Sequence, residues 1–384
     1  MRKPDGAAKA APLFCTAGIV FHGTKAHLIR RGSGVMQLHR RRMLAAFLVA
    51  AGILSWSASA RAQEHWLKLT PFPDPCPELI GAAAGGKVYV FGGLLGTSVK
   101  GLVYEYDPAA DKWTKKKQMP IPAHHVAAVD YNGKIYLFGG GAQPDPAGGN
   151  WVPLDNSWEY DPAKDTWKAL APMPTARGSA VAAVVGGKIY VMGGASVHPG
   201  AKIISLTPTG PHRSLATNEM YDPATDKWET RSPMPTARNH ASVGAVNGKI
   251  YVIGGRVGSV FVNASATDIV EEYDPLIDSW GVAKARMPTA RSGVAYGTYG
   301  GKIYVAGGEY LNSQVVGAFR DLQAYDPAAN AWTMLAPLPL PRNAPAVAVL
   351  GNRLYLISGQ MQSASVGGTA LASSATDALE FAGK

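Results

Sequence analysis

Six times in this chain an apolar run ends in a pair of small residues: Gly92-Gly93, Gly139-Gly140, Gly193-Gly194, Gly254-Gly255, Gly307-Gly308 and, in weakened form, Ser358-Gly359. Five of the six are followed by Tyr-Asp-Pro and by a Trp seven residues after the Tyr: Tyr106/Trp113, Tyr160/Trp167, Tyr221/Trp228, Tyr273/Trp280 and Tyr325/Trp332. Self-similarity at a period of about 50 residues restricts the chain to a repeat array, in which one unit alone cannot bury its apolar face. A residue needed in every unit is explained by packing between units, so the Gly-Gly, Tyr and Trp positions read as scaffold.

The third unit shows how each folds. Residues 180–185 are small and β-branched, Gly186-Gly187 makes a turn, and Lys188-Ile189-Tyr190-Val191-Met192 is a second strand ending at Gly193-Gly194. A variable loop leads to a third strand at residues 218–221. Asp222-Pro223 then starts a tight turn, and Lys227-Trp228-Glu229 opens a fourth strand. The innermost strands are rich in Ala, Gly and Val, as in Ala127-Ala128-Val129, which suits units crowded round one axis. The expectation is an all-β chain of four-stranded antiparallel blades.

The recurring Lys-Ile-Tyr-Val-x-Gly-Gly, Tyr-Asp-Pro and spaced Trp resemble the kelch repeat, over residues 64–383. The resemblance implies a six-bladed kelch β-propeller. The last unit ends at Leu379-Glu380-Phe381 with no Trp, whereas His65-Trp66-Leu67-Lys68-Leu69 near the other end parallels Ala331-Trp332-Thr333-Met334-Leu335. The N-terminal strand of the mature chain is therefore expected to close the sixth blade and remove the exposed sheet edge.

Charge divides the chain. Of its 37 Lys and Arg, ten lie in residues 1–62 with one acid, Asp5, which leaves 27 basic against 26 acidic residues in 63–384. A near-neutral body has no general attraction for phosphate backbones, so nucleic-acid binding is not expected. The basic segment reads as a presequence: Arg40-Arg41-Arg42, an apolar run at 44–56, and Ala60-Arg61-Ala62 as a small-x-small cleavage site. Residues 36–62 would be a cleaved signal peptide with a mature start at Gln63. Residues 1–35 would be an over-long N-terminus or a real extension. The general secretory route is favoured over the twin-arginine one suggested by Arg41-Arg42-Met43-Leu44, and a periplasmic or secreted protein with no membrane span in the mature chain, monomeric, is expected. Only Cys76 follows the cleavage point, Cys15 preceding it, so neither a disulfide framework nor a cysteine zinc site is available.

Recognition is expected on the loops between second and third strands, longest at 195–217 (with His198, His212 and Arg213) and at 141–156 (with Asp145, Trp151 and Asp155). Aligning the units puts Arg177, Arg238, Arg291 and Arg342 in one column before the innermost strand, with Cys76 and Ala123 in the same column of the first two blades. These arginines are expected to ring the mouth of the central channel. The next two columns add Glu78, His124, His125, Ser179, Asn239, His240, Ser292 and Asn343. Guanidinium groups beside amides and hydroxyls suit an acidic or carbohydrate ligand, with Arg177, Ser179, Arg238, Asn239, Arg291, Ser292, Arg342 and Asn343 as the candidate binding set. Structural bonding of the arginines within the blades is the competing reading. His124 and His125, adjacent on a strand, would point to opposite faces, and no second ligand falls at metal spacing, so neither a metal nor another cofactor is expected.

Two functions compete. One is a binding module for a protein partner or a small acidic or carbohydrate ligand. The other is a carbohydrate-active enzyme, because the resemblance extends to a sialic acid mutarotase and to copper-dependent galactose oxidases. The oxidase is set aside, since Cys76 has no Tyr partner in an adjacent column and the histidines do not supply its copper ligands. For a sugar-acid mutarotase or epimerase, Glu78, His125, His240 or Glu309 would supply acid and base. No nucleophile elbow, phosphate loop or zinc helix is present, and the binding module is preferred.

Overall fold

In five of the six blades the first two strands are joined by a two-residue turn held wholly in left-handed backbone, and in the sixth Gly351 alone has positive φ. In a computed structural model describing residues 65–96, 98–143, 151–198, 212–258, 265–311, 316–362 and 371–381, φ is 58° and 73° at Gly186-Gly187 and 51° and 76° at Asn247-Gly248. Such turns match the right-handed twist of the strands they join. The third blade then runs Val181–Val185, Lys188–Met192, Asn218–Asp222 and Lys227–Thr230, adjacent strands antiparallel throughout. The same order recurs from Leu79–Ala84 to Lys112–Lys115 in blade one, Ala127–Tyr131 to Thr166–Leu170 in blade two, Ser242–Val246 to Ser279–Trp280 in blade four and Ala295–Tyr299 to Ala331–Met334 in blade five. Among the described residues there is no helix. The presequence, residues 1–62, lies outside them, as do Gln63, Asp145 and the side chain of His212.

Blade six contains three consecutive strands, Ala346–Leu350, Arg353–Ile357 and Thr376–Glu380, and takes its fourth from His65–Leu69. The register runs from His65 opposite Glu380 to Leu69 opposite Thr376. The closure expected from the lone Trp66 is thus the observed one.

The repeat motif stitches each blade to the one before it. Tyr221 Oη donates to Asp226 Oδ1 at 2.7 Å, and that same oxygen accepts the Ala171 N–H of blade two at 2.8 Å. Trp228 Nε1 donates to the Ala171 carbonyl at 2.9 Å. Blade five repeats this with Tyr325, Asn330, Ala285 and Trp332. The Gly pairs stitch forward instead: Gly140 N–H donates to Arg177 O and Gly194 N–H to Arg238 O, each at 3.0 Å. A Cβ on Gly139 would lie 2.3 Å from Arg177 O, so only glycine permits the approach. Between blades the core is apolar, for example Val181, Tyr190, Val243, Ile250 and Tyr273 in one cluster.

Four of the loops between second and third strands begin as short ribbons: Gly141–Ala142 with Val152–Pro153, Ala195–Val197 with His212–Ser214, Arg256–Val257 with Ser265–Ala266, and Glu309–Leu311 with Val316–Ala318. Each ribbon bridges back to the segment before its own innermost strand, as Gly178 to Ala195 and Asn239 to Arg256. Ribbons and channel mouth therefore share a face.

Candidate functional site at the channel mouth

The mouth is built by the residue two places after the arginine column. Glu78, His125, Ser179, His240, Gly293 and Ala344 occupy this place in blades one to six, all with φ between 51° and 62°. Backbone bonds link them round the axis: Ser179 N–H to His125 O at 2.8 Å, His240 to Ser179 at 3.1 Å, Gly293 to His240 at 3.2 Å, Ala344 to Gly293 at 2.8 Å and Glu78 to Ala344 at 3.0 Å. The ring imposes left-handed backbone in every blade. Glycine accepts it freely, while another residue costs about 1–2 kcal/mol, so four polar side chains are held here against local preference.

They converge. His125 Nε2 is 2.9 Å from Glu78 Oε2, with the two side chains 9% and 15% exposed. The His125 and His240 rings meet edge to face at 4.8 Å between centroids. One ligating atom from each of Glu78, His125 and His240 lies within 4.8 Å of the others. Ser179 Oγ stands 3.3 Å from His240 Nε2. Below the ring the channel is lined by apolar groups, including Ile80, Val126, Val181 and Val347, and by Tyr296. Burial pushes the Tyr296 phenol up, keeping it neutral.

A second layer holds the two imidazoles. His240 Nδ1 meets Asn239 Oδ1 at 2.5 Å, and Asn239 Nδ2 donates to Ser214 Oγ at 2.8 Å. His125 Nδ1 meets His124 Nδ1. His124 is fully buried, its ring 4.6 Å from that of Trp151, and burial, with a second imidazole beside it, holds its pKa well below the usual imidazole range. The strand geometry expected for His124 and His125 is not adopted. Positive φ at His125 breaks the alternation and brings the two rings to 4.5 Å, both against Trp151.

The arginine column does not ring the mouth. Arg177, Arg238, Arg291 and Arg342 are all 0% exposed. Arg177 Nη1 donates to Glu219 at 2.5 Å and to Thr175 O, while Nη2 reaches Val191 O. Arg238 does the same with Glu271 and Val252 O. Arg291 faces Asp321 at 3.4 Å and donates to Val305 O, and Arg342 pairs with Asp377. The reason is that each of these blades sets a carboxylate against the guanidinium, from within the third strand in blades three, four and six (Glu219, Glu271, Asp377) and from just before it in blade five (Asp321, a third exposed), while a strand carbonyl takes a second N–H. Ser292 and Asn343 also turn inward. Arg256 donates to Ser292 Oγ at 3.2 Å and to Glu309 Oε1 at 2.5 Å, and Asn343 Nδ2 donates to Glu309 Oε2 at 2.9 Å. Glu309, a candidate acid or base, is 2% exposed and held in this network.

Of the sequence candidates, the structure thus brings together Glu78, His125, Ser179 and His240, and separates from them Glu309 and the arginines. The missed features are the metal-compatible spacing of Glu78, His125 and His240 and the wall made by Trp151. The column alignment carries the signal for the first, since a shared register in a closed ring aims side chains of different blades at one axis.

Residues 59–194 match the KLHDC2/KLHL20/DRC7 Kelch-repeats domain, and residues 176–235, 237–281 and 290–339 match the Kelch motif. Kelch-like protein terF of Aspergillus terreus is 35% identical over 193 residues, 50% of this chain and 40% of that protein. Beta-scruin of Limulus polyphemus is 32% identical over 208 residues, 53% of this chain and 21% of that protein. Kelch repeat and BTB domain-containing protein 12 of Homo sapiens is 30% identical over 186 residues, 46% of this chain and 29% of that protein. The matches cover two fifths or less of each of these relatives.

Proposed function

Because this chain belongs to the kelch-repeat β-propeller family, we propose that it is an interaction module gripping a protein partner on the face that carries the channel mouth and the ribbons. The observation carrying this reading is the convergence of Glu78, His125, Ser179 and His240 at the mouth, beside Trp151, in a scaffold whose arginine column is paired inside the blades. A partly exposed aromatic next to donors and acceptors is the composition of an interface centre. With the guanidiniums internal, the polar groups left at the mouth to meet the partner are the Glu78 carboxylate, the Ser179 hydroxyl and the imidazoles of His125 and His240. The order of charged, apolar and small residues at 40–62 supports delivery to the periplasm or the exterior, and an intact mass beginning at Gln63 is expected from the exported protein.

Capture from the source organism's own extract with immobilised wild type and with Trp151→Ala tests the module. Trp151→Ala is expected to lose the partner while its melting temperature stays within a few degrees. Equal capture by both, or loss only on substituting the opposite face, would overturn the proposal. A second reading, a sugar-acid mutarotase or epimerase, is favoured by one observation, the 2.9 Å pairing of Glu78 with His125, which suits proton transfer at an anomeric centre. Exchange of anomers of a sugar acid, followed by NMR, would be accelerated by wild type and not by Glu78→Gln.

A further inference from the structure

We infer that Glu78, His125 and His240 form a binding site for a divalent transition-metal ion of the zinc class, set across the channel mouth by blades one, two and four. Two imidazoles and one carboxylate are a borderline donor set that selects zinc or its neighbours over calcium and magnesium, which take oxygen. The inference does not rest on the interaction module proposed above.

Three observations carry it. The first is distance. An ion about 2.0–2.2 Å from each ligand places neighbouring ligand atoms about 3–3.5 Å apart. His125 Nε2 and Glu78 Oε2 stand at 2.9 Å, and the whole set lies within 4.8 Å, so on the order of an ångström remains to be closed. The second is the outer shell. A ligating histidine usually gives its other ring N–H to a carbonyl or similar acceptor. His240 Nδ1 meets the Asn239 side-chain oxygen at 2.5 Å, which makes Nδ1 the protonated nitrogen and leaves the Nε2 lone pair directed at the mouth. His125 Nδ1 meets His124 Nδ1, and its Nε2–H faces the Glu78 carboxylate at 2.9 Å, a proton that a bound ion would displace. With that proton released, two imidazole nitrogens and a carboxylate face one point, an arrangement that a cation stabilises. The third is the scaffold. All three ligands sit at left-handed positions of the bonded axial ring, which fixes where their side chains start. Three protein ligands leave a coordination position facing the mouth, the pattern of sites that take an exchangeable fourth ligand.

The test uses the full chain stripped with a chelator and titrated with zinc chloride by calorimetry, with cobalt absorption as a second readout. Wild type is expected to bind one equivalent, to melt higher with zinc than without it, and to give an intense visible cobalt band. His125→Asn and His240→Asn keep a residue tolerant of positive φ and should lower the affinity at least 100-fold and abolish the zinc-induced shift. Asn239→Ala should lower it tenfold to 100-fold by freeing the His240 ring. His198→Ala, just past the ribbon strand Ala195–Val197 of blade three, should change nothing. Glu78→Gln supplies the same test if an Asn variant fails to fold. Stripped wild type that binds no zinc, or one-equivalent binding that survives in His125→Asn/His240→Asn, would overturn the inference.

Discussion

At the scale of single residues, one column of the repeat serves two purposes. The place filled by Arg in four blades is Cys76 in blade one, 2% exposed. Its N–H donates to Ser358 Oγ at 2.9 Å, and Ser358 returns a bond to its carbonyl, so the backbone still binds blade one to blade six. Burial, with Glu78 nearby, pushes the thiol up to about 12. The thiol is therefore expected to resist iodoacetamide in native protein at pH 8 and to react fully in guanidinium; rapid native labelling would contradict the burial. For the arginines the expectation is structural. Arg238→Lys keeps the charge but cannot serve both Glu271 and Val252 O, and should cost about 1–3 kcal/mol in urea unfolding. His124 adds a pH dependence. Held neutral by burial, it binds its proton less readily folded than unfolded, so its stabilising contribution is complete above about pH 6.5 and lost as pH falls below that. Between pH 7.5 and 5.5 wild type should lose up to about 1.4 kcal/mol per unit from this group, and His124→Asn should flatten the slope.

At the scale of the element, the turn between third and fourth strands is a latch rather than a simple reversal. Asp226, at φ 53°, accepts from its own blade through Tyr221 and from the preceding blade through Ala171. Asp226 is itself exposed, and Asp226→Ala should cost about 1–3 kcal/mol, because two hydrogen bonds to a charged group and a residue tolerant of positive φ are lost together. Asp226→Asn should cost well under half of that, since Asn330 performs the same task in blade five. Equal losses would show that charge, not geometry, holds the latch. Tyr-Asp-Pro and the spaced Trp were legible as turn and packing residues. The acceptor five residues after the Tyr was not, because its second partner belongs to another blade.

At the scale of the whole molecule, closure makes the blades one cooperative body. Deleting His65–Leu69 would strip the outer strand from blade six and expose the edge of Thr376–Glu380. The truncated chain is expected to melt at least 10 °C lower and to aggregate, and an unchanged melting curve would show that the termini need not share a blade. The ring also turns a repeat of equivalent positions into a site of unlike ones. Glu78, His125, Ser179 and His240 are separated by 47 to 61 residues in sequence yet meet at one axis.

The period, the small innermost strands, the Asp-Pro turns and the displaced Trp66 determined the all-β class, the blade count and the closing strand, because each is written in local propensity and spacing. Which column faces the mouth was decided only by tertiary structure. The arginines look like surface recognition groups until the same blade places Glu219, Glu271, Asp321 or Asp377, in or just before its third strand, against them. His124 and His125 look unable to act together until the axial ring forces His125 into positive φ. Both outcomes depend on contacts across dozens of residues, and a one-dimensional pattern carries the register of such contacts but not the direction in which a side chain then turns.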